Sequence, residues 1–233
     1  MIERKQITSF ELDDMSFSFD PSAPPIFEGV TFVMPTSRAV WVRSPGGRGK
    51  STLLKILAGL LGPTNGHFLI NGLRVDDMSF EDFLGYRLNM GYGFDMGGLL
   101  NNKTIAENLM LPLLYHKLVS VDEAAARVDK VIDMFGMQSI ANNRPFAISG
   151  SQRKLTCVVR AFVHSPQVVF LDDPVTGLKQ DNLNDLFQYV EEGFADRGLK
   201  QVFFTSENPE FAKRFAAEEL LISCDWFTAR SVA

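Results

Sequence analysis

The chain has little cysteine, histidine or tryptophan: two, three and two residues among 233. Cys157 and Cys224 form no CxxC pair and sit in apolar surroundings. This argues against a disulfide framework and for reduced, packed thiols in a cytosolic protein. Long hydrophobic runs are missing as well. No stretch approaches the roughly 18 consecutive apolar residues of a membrane-spanning helix, so a soluble chain is expected. Met1-Ile2-Glu3-Arg4-Lys5 leads into mixed polar sequence with no signal-peptide pattern. Basic residues are in deficit, 23 Lys and Arg against 28 Asp and Glu for a net charge of −5. That balance disfavours non-specific nucleic-acid binding, and no nucleic-acid partner is expected. Internal repeats and low-complexity segments are also lacking.

What remains is the composition of an ordinary globular protein. A hydrophobic content of 45% is ample for a core, and the length suits one large domain or a domain with a subdomain. The twenty Phe residues read mostly as core packing.

Short strands come first. Ile7 to Leu12 and Met15 to Phe19 alternate with period two, Pro21 to Pro25 is a turn cluster, and Val30 to Met34 resumes a strand. Helical periodicity runs from Lys50 to about Gly62-Pro63. A hairpin follows, with Gly66 to Ile70 and Leu73 to Val75 joined by Asn71-Gly72. Residues 89–94 form another short strand. From about 100 to 165 the pattern is helical: a helix begins after Thr104, with Glu107 at the capping-box position, and others cover Val121 to Phe135 and Ser151 to His164. Strand Val168 to Leu171, helix Asp181 to Arg197, strand Gln201 to Thr205, helix Glu210 to Ala217 and strand Leu220 to Ser223 complete the pattern. Alternation of strand and helix implies a parallel sheet, interrupted by the helical block.

The most informative stretch is Ser44-Pro45-Gly46-Gly47-Arg48-Gly49-Lys50-Ser51-Thr52. It follows the apolar strand 39–42 and opens a helix. Backbone N–H groups gathered at the positive end of a helix dipole suit the phosphates of a nucleoside triphosphate. Lys50 would reach the terminal phosphates and the Ser51 hydroxyl would sit on Mg2+. The bland alternative is a glycine turn that binds nothing. A second element is Val168-Val169-Phe170-Leu171-Asp172-Asp173-Pro174, an apolar strand ending in acids. A carboxylate there faces a ligand crevice, and Asp172 would hold the magnesium.

Upstream of that strand lies Ile148-Ser149-Gly150-Ser151-Gln152. With it, nearly the whole chain, from about residue 6 to 224, resembles the nucleotide-binding subunit of an ATP-binding cassette (ABC) transporter. The signature of that family is Leu-Ser-Gly-Gly-Gln. The resemblance implies an α/β fold: a P-loop NTPase (RecA-like) core with an antiparallel β subdomain and an inserted helical subdomain. It divides a single ATPase domain, 1–233, into a core of 1–94 and 166–233 and a helical signature subdomain of 95–165. It implies ATP and Mg2+ as cofactors. Two ATPs would be sandwiched between two subunits, in a homodimer or heterodimer, with Ser149, Gly150, Ser151 and Gln152 pressing on the partner's nucleotide. Phe19 falls where the family stacks an aromatic on adenine; core packing is the alternative. Residues 91–95 occupy the family's Q-loop, beside the groove where transmembrane permease subunits dock. Residues 99–113 are similar to lipid-trafficking (Mla/Mce-type) cassettes.

Against the family's pattern, six positions differ. The Q-loop glutamine is Asp95, a further possible magnesium ligand. The general-base glutamate is Asp173, the D-loop aspartate is Lys179 and the switch histidine is Ser206. Ser44 and Ser151 replace glycines. Withdrawing a carboxylate by about 1.5 Å at Asp173, or losing a phosphate donor at Ser206, would each slow catalysis by about 10²-fold or more. The expectation is an ATP-hydrolysing subunit with weakened chemistry, its catalytic residues Asp173, Ser206 and Asp95. It would drive transport from the cytoplasmic face of the inner membrane. The alternative is a binding-only regulatory or scaffold subunit beside an active cassette. A soluble cassette of DNA repair or translation lacks support, because neither a coiled-coil insertion nor a second cassette is present. An unrelated P-loop kinase would not carry 148–152.

Overall fold

A computed structural model describes residues 3–95 and 97–232, apart from the side chains of 210 and 211. The chain forms two compact units, one of Met1–Met90 with Lys200–Ala233, the other of Gly91–Leu199.

The first unit holds two sheets. In one, β1 (Phe10–Phe17) lies between β2 (Phe27–Val33) and β4 (Asn65–Ile70), all antiparallel, and β5 (Leu73–Arg74) closes a hairpin on β4. The alternating runs expected as two strands merge into β1. They are out of phase by one residue, and a bulge absorbs the difference: Leu12 pairs with Phe32 but Met15 with Val30. The bulge exposes Asp13 and Asp14 and lets Phe10, Leu12, Met15 and Phe17 all face inward. In the other sheet, β3 (Ala39–Arg43) runs parallel to both β8 (Gln201–Phe204) and β9 (Glu218–Ile222), and β10 (Phe227–Ser231) pairs antiparallel with β9. β8 is buried along its whole length, as parallel strands covered on both faces are. Phe10 joins the two sheets, with its ring 6.0 Å from both Phe68 and Phe203.

Helix α1 (Lys50–Leu57) stops short of the expected Gly62-Pro63. Gly59 has φ +66°; its amide bonds Ile56 O and the Leu60 amide bonds Lys55 O, a Schellman stop that ends the helix at once. Two elements were not anticipated from the sequence: α2 (Phe80–Arg87), whose eight residues lack a clear apolar stripe, and the mostly exposed β10. The unit is completed by α7 (Pro209–Phe215).

In the second unit, β6 (Met90–Gly93) lies beside β7 (Val168–Leu171), surrounded in sequence by α3 (Ile105–Leu114), α4 (Val121–Met134), α5 (Gly150–Arg160) and α6 (Gln180–Asp196). The Thr104/Glu107 capping box forms as expected, with Glu107 N to Thr104 Oγ1 at 3.2 Å and Thr104 N to Glu107 Oε2 at 2.7 Å. Among the described residues, no helix is long and apolar enough to cross a membrane.

Candidate functional site

In the first unit, β3 delivers the chain into an exposed loop that opens α1. The Gly47 amide bonds Ser44 O at 2.9 Å, and Gly47 and Gly49 take φ of +71° and +86°. Gly49 is doubly constrained, since a Cβ there would lie 2.9 Å from the Phe27 ring. Neither a side-chain cap nor an acid occupies the first turn of α1. Its leading amides have no intrahelical partners by construction, and the helix dipole adds positive potential. A helix start of this kind accepts an anion.

Arg48 is exposed, Ser51 half-buried and Thr52 buried. The Lys50 side chain is only 18% exposed and pairs with the carboxylate of Glu207, itself 77% exposed. The hydrogen bond and the charge of Lys50 hold the Glu207 carboxyl below its usual range. Ser206 is buried, its carbonyl accepting from the Trp41 indole at 3.2 Å and its hydroxyl accepting from the Asn208 amide at 3.1 Å. Phe19 is 68% exposed, its ring edge-on to Phe17 at 4.8 Å. Core packing is therefore not its role.

In the second unit, Asp172 follows the buried strand β7, and its amide bonds Gly93 O at 2.9 Å. Asp172 is buried. The Tyr92 hydroxyl is also buried and has no hydrogen-bond partner among the described residues. Burial, with the Asp172 charge added, pushes its phenol far above the ordinary value. Asp173 takes φ +45°, a left-handed conformation that Asp tolerates better than most residues.

Ser149 caps α5 in a second capping box: Gln152 N to Ser149 Oγ is 3.2 Å, and Ser149 N to Gln152 Oε1 is 2.9 Å. The Ser149 amide, expected to face a γ-phosphate, is thus engaged by Gln152, while Gly150 and Ser151 form the first turn of the helix. The Asp95 carboxylate, expected as a metal ligand, accepts from Lys154 Nζ at 2.6 Å. Lys179 is the exposed N-cap residue of α6 and offers no capping bond.

Sequence reasoning missed Glu207, Tyr92 and Lys154. For Lys154 a signal existed, a charged residue opening the otherwise buried run 154–159 of α5. For Glu207 there was none, because it pairs with a residue 157 positions away.

A family model described as "ABC transporter" matches residues 27–176. The chain belongs to the ABC transporter family. Among its relatives, an uncharacterized ABC transporter ATP-binding protein of Bacillus subtilis, YvcR, is 34% identical over 158 residues, 66% of this chain and 61% of that protein. A lipoprotein-releasing system ATP-binding protein of Rhodopseudomonas palustris, LolD 1, is 29% identical over 88% of this chain and 92% of its own length. A methionine import ATP-binding protein of Burkholderia mallei, MetN 2, is 29% identical over 85% of this chain, which spans 50% of it. The dimeric post-hydrolysis structure of the ATP-binding cassette MJ0796, bound to ADP and Pi, shares the fold at a TM-score of 0.83 and 21% identity, covering 96% of this chain and 99% of that one. The fold is that of ABC ATPase cassettes, an α/β P-loop NTPase core with an antiparallel sheet.

Proposed function

We propose that the chain is the ATP-binding subunit of an ABC transporter and drives transport by binding and slowly hydrolysing ATP. The observation that carries this reading is the start of α1. There, left-handed glycines turn the chain so that uncapped helix amides and Lys50 adjoin one exposed loop.

In this reading Ser44, Gly46, Gly47, Arg48, Gly49, Lys50, Ser51 and Thr52 hold the triphosphate, and exposed Phe19 stacks on the adenine. Residues 149–152 serve the nucleotide of a second subunit. Residues 95–165 act as the helical signature subdomain and the rest as the core. Magnesium would take hard oxygen donors, and the candidates are the Ser51 hydroxyl in the first unit and, in the second, the buried Asp172 carboxylate and Asp95. Among the described residues no three His, Cys, Asp or Glu side chains converge on a metal site. The ion would neutralise charge on the phosphates.

Asp173 would orient the attacking water from a carboxylate one methylene short. Ser206, whose hydroxyl accepts from the Asn208 amide, would offer a shorter side chain than a histidine to a phosphate. Both support hydrolysis slower than in a cassette with glutamate and histidine at these positions. The binding-only alternative is not favoured by relatives that are ATP-binding subunits of transporters. Those relatives also support docking on membrane permease subunits from the cytoplasmic face, and the dimeric cassette structure supports pairing of two cassettes. The near full-length match to a lipoprotein-releasing protein supports a lipid-linked cargo.

Phosphate release by the purified chain, with and without its permease, tests the reading against Lys50→Ala. Turnover above that variant is expected. Turnover equal to it at saturating ATP overturns the enzyme reading, and with ATP still bound leaves a binding-only subunit.

A further inference from the structure

The two faces of β6 are built differently. A Cβ on Gly91 would lie 1.9 Å from the Ala161 carbonyl oxygen, and one on Gly93 would lie 3.0 Å from Leu171 Cδ2 and 3.5 Å from Val158 Cα. That face is closed by α5, and the missing side chains let the helix come so near. Gly93 and Leu171 point to the same side. Alternation therefore puts Tyr92 and Phe94 of one strand, with Phe170 and Asp172 of the other, on the opposite face. The pairing holds to the end of β7, where the Asp172 amide still bonds Gly93 O at 2.9 Å. All of these residues belong to the Gly91–Leu199 unit.

Of the four side chains on that face, the two phenylalanines have no polar atom to offer. Tyr92 is 6% exposed and Asp172 8%, so a phenol and a carboxylate are buried together on an apolar surface. The Tyr92 and Phe94 ring centroids are 4.5 Å apart, so the phenol leans along β6 toward the end at which Asp172 stands. The carboxylate is near enough for its charge to act on the phenol. Yet the Tyr92 hydroxyl has no hydrogen-bond partner among the described residues. A buried hydroxyl left unpaired is costly, and phenylalanine would fill the same space without that cost.

We propose that Tyr92 is a positioning residue for Asp172. Its hydroxyl donates to that carboxylate, directly or through one bridging water, and fixes the direction in which the carboxylate presents its remaining lone pairs. What Asp172 then does rests on the reading of the chain as an ATP-hydrolysing cassette; the bond does not.

The test compares the full-length wild type with Tyr92→Phe, Asp172→Ala and the double variant. Tyr92→Phe removes one oxygen and keeps the ring. In denaturant unfolding without nucleotide, it is expected to raise the unfolding equilibrium constant about tenfold in the wild-type background. In the Asp172→Ala background it should change that constant by less than about twofold. A rise below about threefold in the wild-type background overturns the inference, because the hydroxyl is then unpaired. A rise of equal size in both backgrounds also overturns it, because the hydroxyl then serves another group. The infrared difference between wild type and Tyr92→Phe isolates this phenol among the four tyrosines, and it reads the bond even where Asp172→Ala does not fold. A C–O stretch at the frequency of a hydrogen-bond donor is expected, and that of an unpaired phenol overturns the bond. Steady-state ATP turnover separates positioning from structure. Tyr92→Phe is expected to lower kcat about tenfold and to leave KM for ATP within about twofold. A kcat within about twofold of wild type, beside the unfolding loss, overturns the positioning role and leaves a structural bond. Wild-type turnover no higher than that of Lys50→Ala overturns the enzyme reading and the role within it, while the unfolding cycle still decides the bond.

Discussion

At the scale of single residues, Lys50, the lysine proposed to hold the triphosphate, already has a partner. Lys50 pairs with Glu207, and on the proposed reading a triphosphate at the same ammonium would have to displace that carboxylate. Glu207→Gln is therefore expected to tighten ATP binding by about two- to fivefold, the range of an exposed ion pair. The gain should shrink as salt screens the pair. Nucleotide titrations at two ionic strengths check this, and unchanged affinity at low salt would count against any competition. Asp173 gives a sharper contrast. Asp173→Glu restores the longer carboxylate, and turnover is expected to rise by about tenfold or more. The same change places a residue less suited to left-handed backbone at φ +45°, at a stability cost of about 1 kcal/mol. Phosphate release and thermal melting on one preparation read both effects. From its resemblance to the family, the sequence led to the expectation that Asp173 and Ser206 depart from the family's pattern. It did not show that the Ser206 hydroxyl accepts from the Asn208 amide, or that Lys154 pairs with Asp95. Local bonds and long-range pairs leave no periodic trace in a sequence.

At the scale of elements, helix ends were the most legible feature where the side chain itself carries the signal. Thr104 and Glu107 were readable as a capping box because both halves lie within four residues, and the box is present. The end of α1 was less legible, since apolar spacing continues past Leu57 while the stop depends on the left-handed turn at Gly59. β10 was illegible because four of its five residues are exposed and show no alternation. The start of α6 invites a test. Its N-cap is Lys179, which makes no capping bond and places a positive charge against the positive end of the helix dipole. Lys179→Asp supplies both a cap and the favourable charge, and should stabilise the helix by about 1 kcal/mol. For a chain of this size that raises the melting midpoint by about 2–4 °C. If Lys179 serves instead as a cation toward a second subunit, the same variant will be more stable yet slower in phosphate release, which separates helix capping from function.

At the scale of the whole molecule, acid sensitivity is set by carboxylates held below their usual range. Asp20, Asp76, Asp82, Glu107 and Glu207 are all lowered, but they sit near solvent, where each contributes little. Glu219 is different because its side chain is buried between two arginines. Burial alone would raise its carboxyl. The hydrogen bonds from Arg230 Nε, at 2.6 Å, and from Arg43 outweigh burial and hold it low. A carboxylate that ionises more readily in the folded chain than in the unfolded one stabilises the fold above the unfolded value, about 4.3 for glutamate. That stabilisation disappears as pH falls through the folded value. Stability should therefore be level from pH 7 to about 5 and decline below. Glu219 joins β9 to Arg43 at the end of β3 and to Arg230 in β10, so its loss loosens three strands of one sheet together. Glu219→Gln should cost about 2 kcal/mol at pH 7, the scale of hydrogen bonds to a charged group. At pH 3, where the wild-type carboxylate is itself being protonated, it should cost clearly less. Denaturant unfolding of both proteins at the two pH values measures the difference. Equal losses at both would mean that packing of the Glu219 side chain, rather than its charge, supports the sheet.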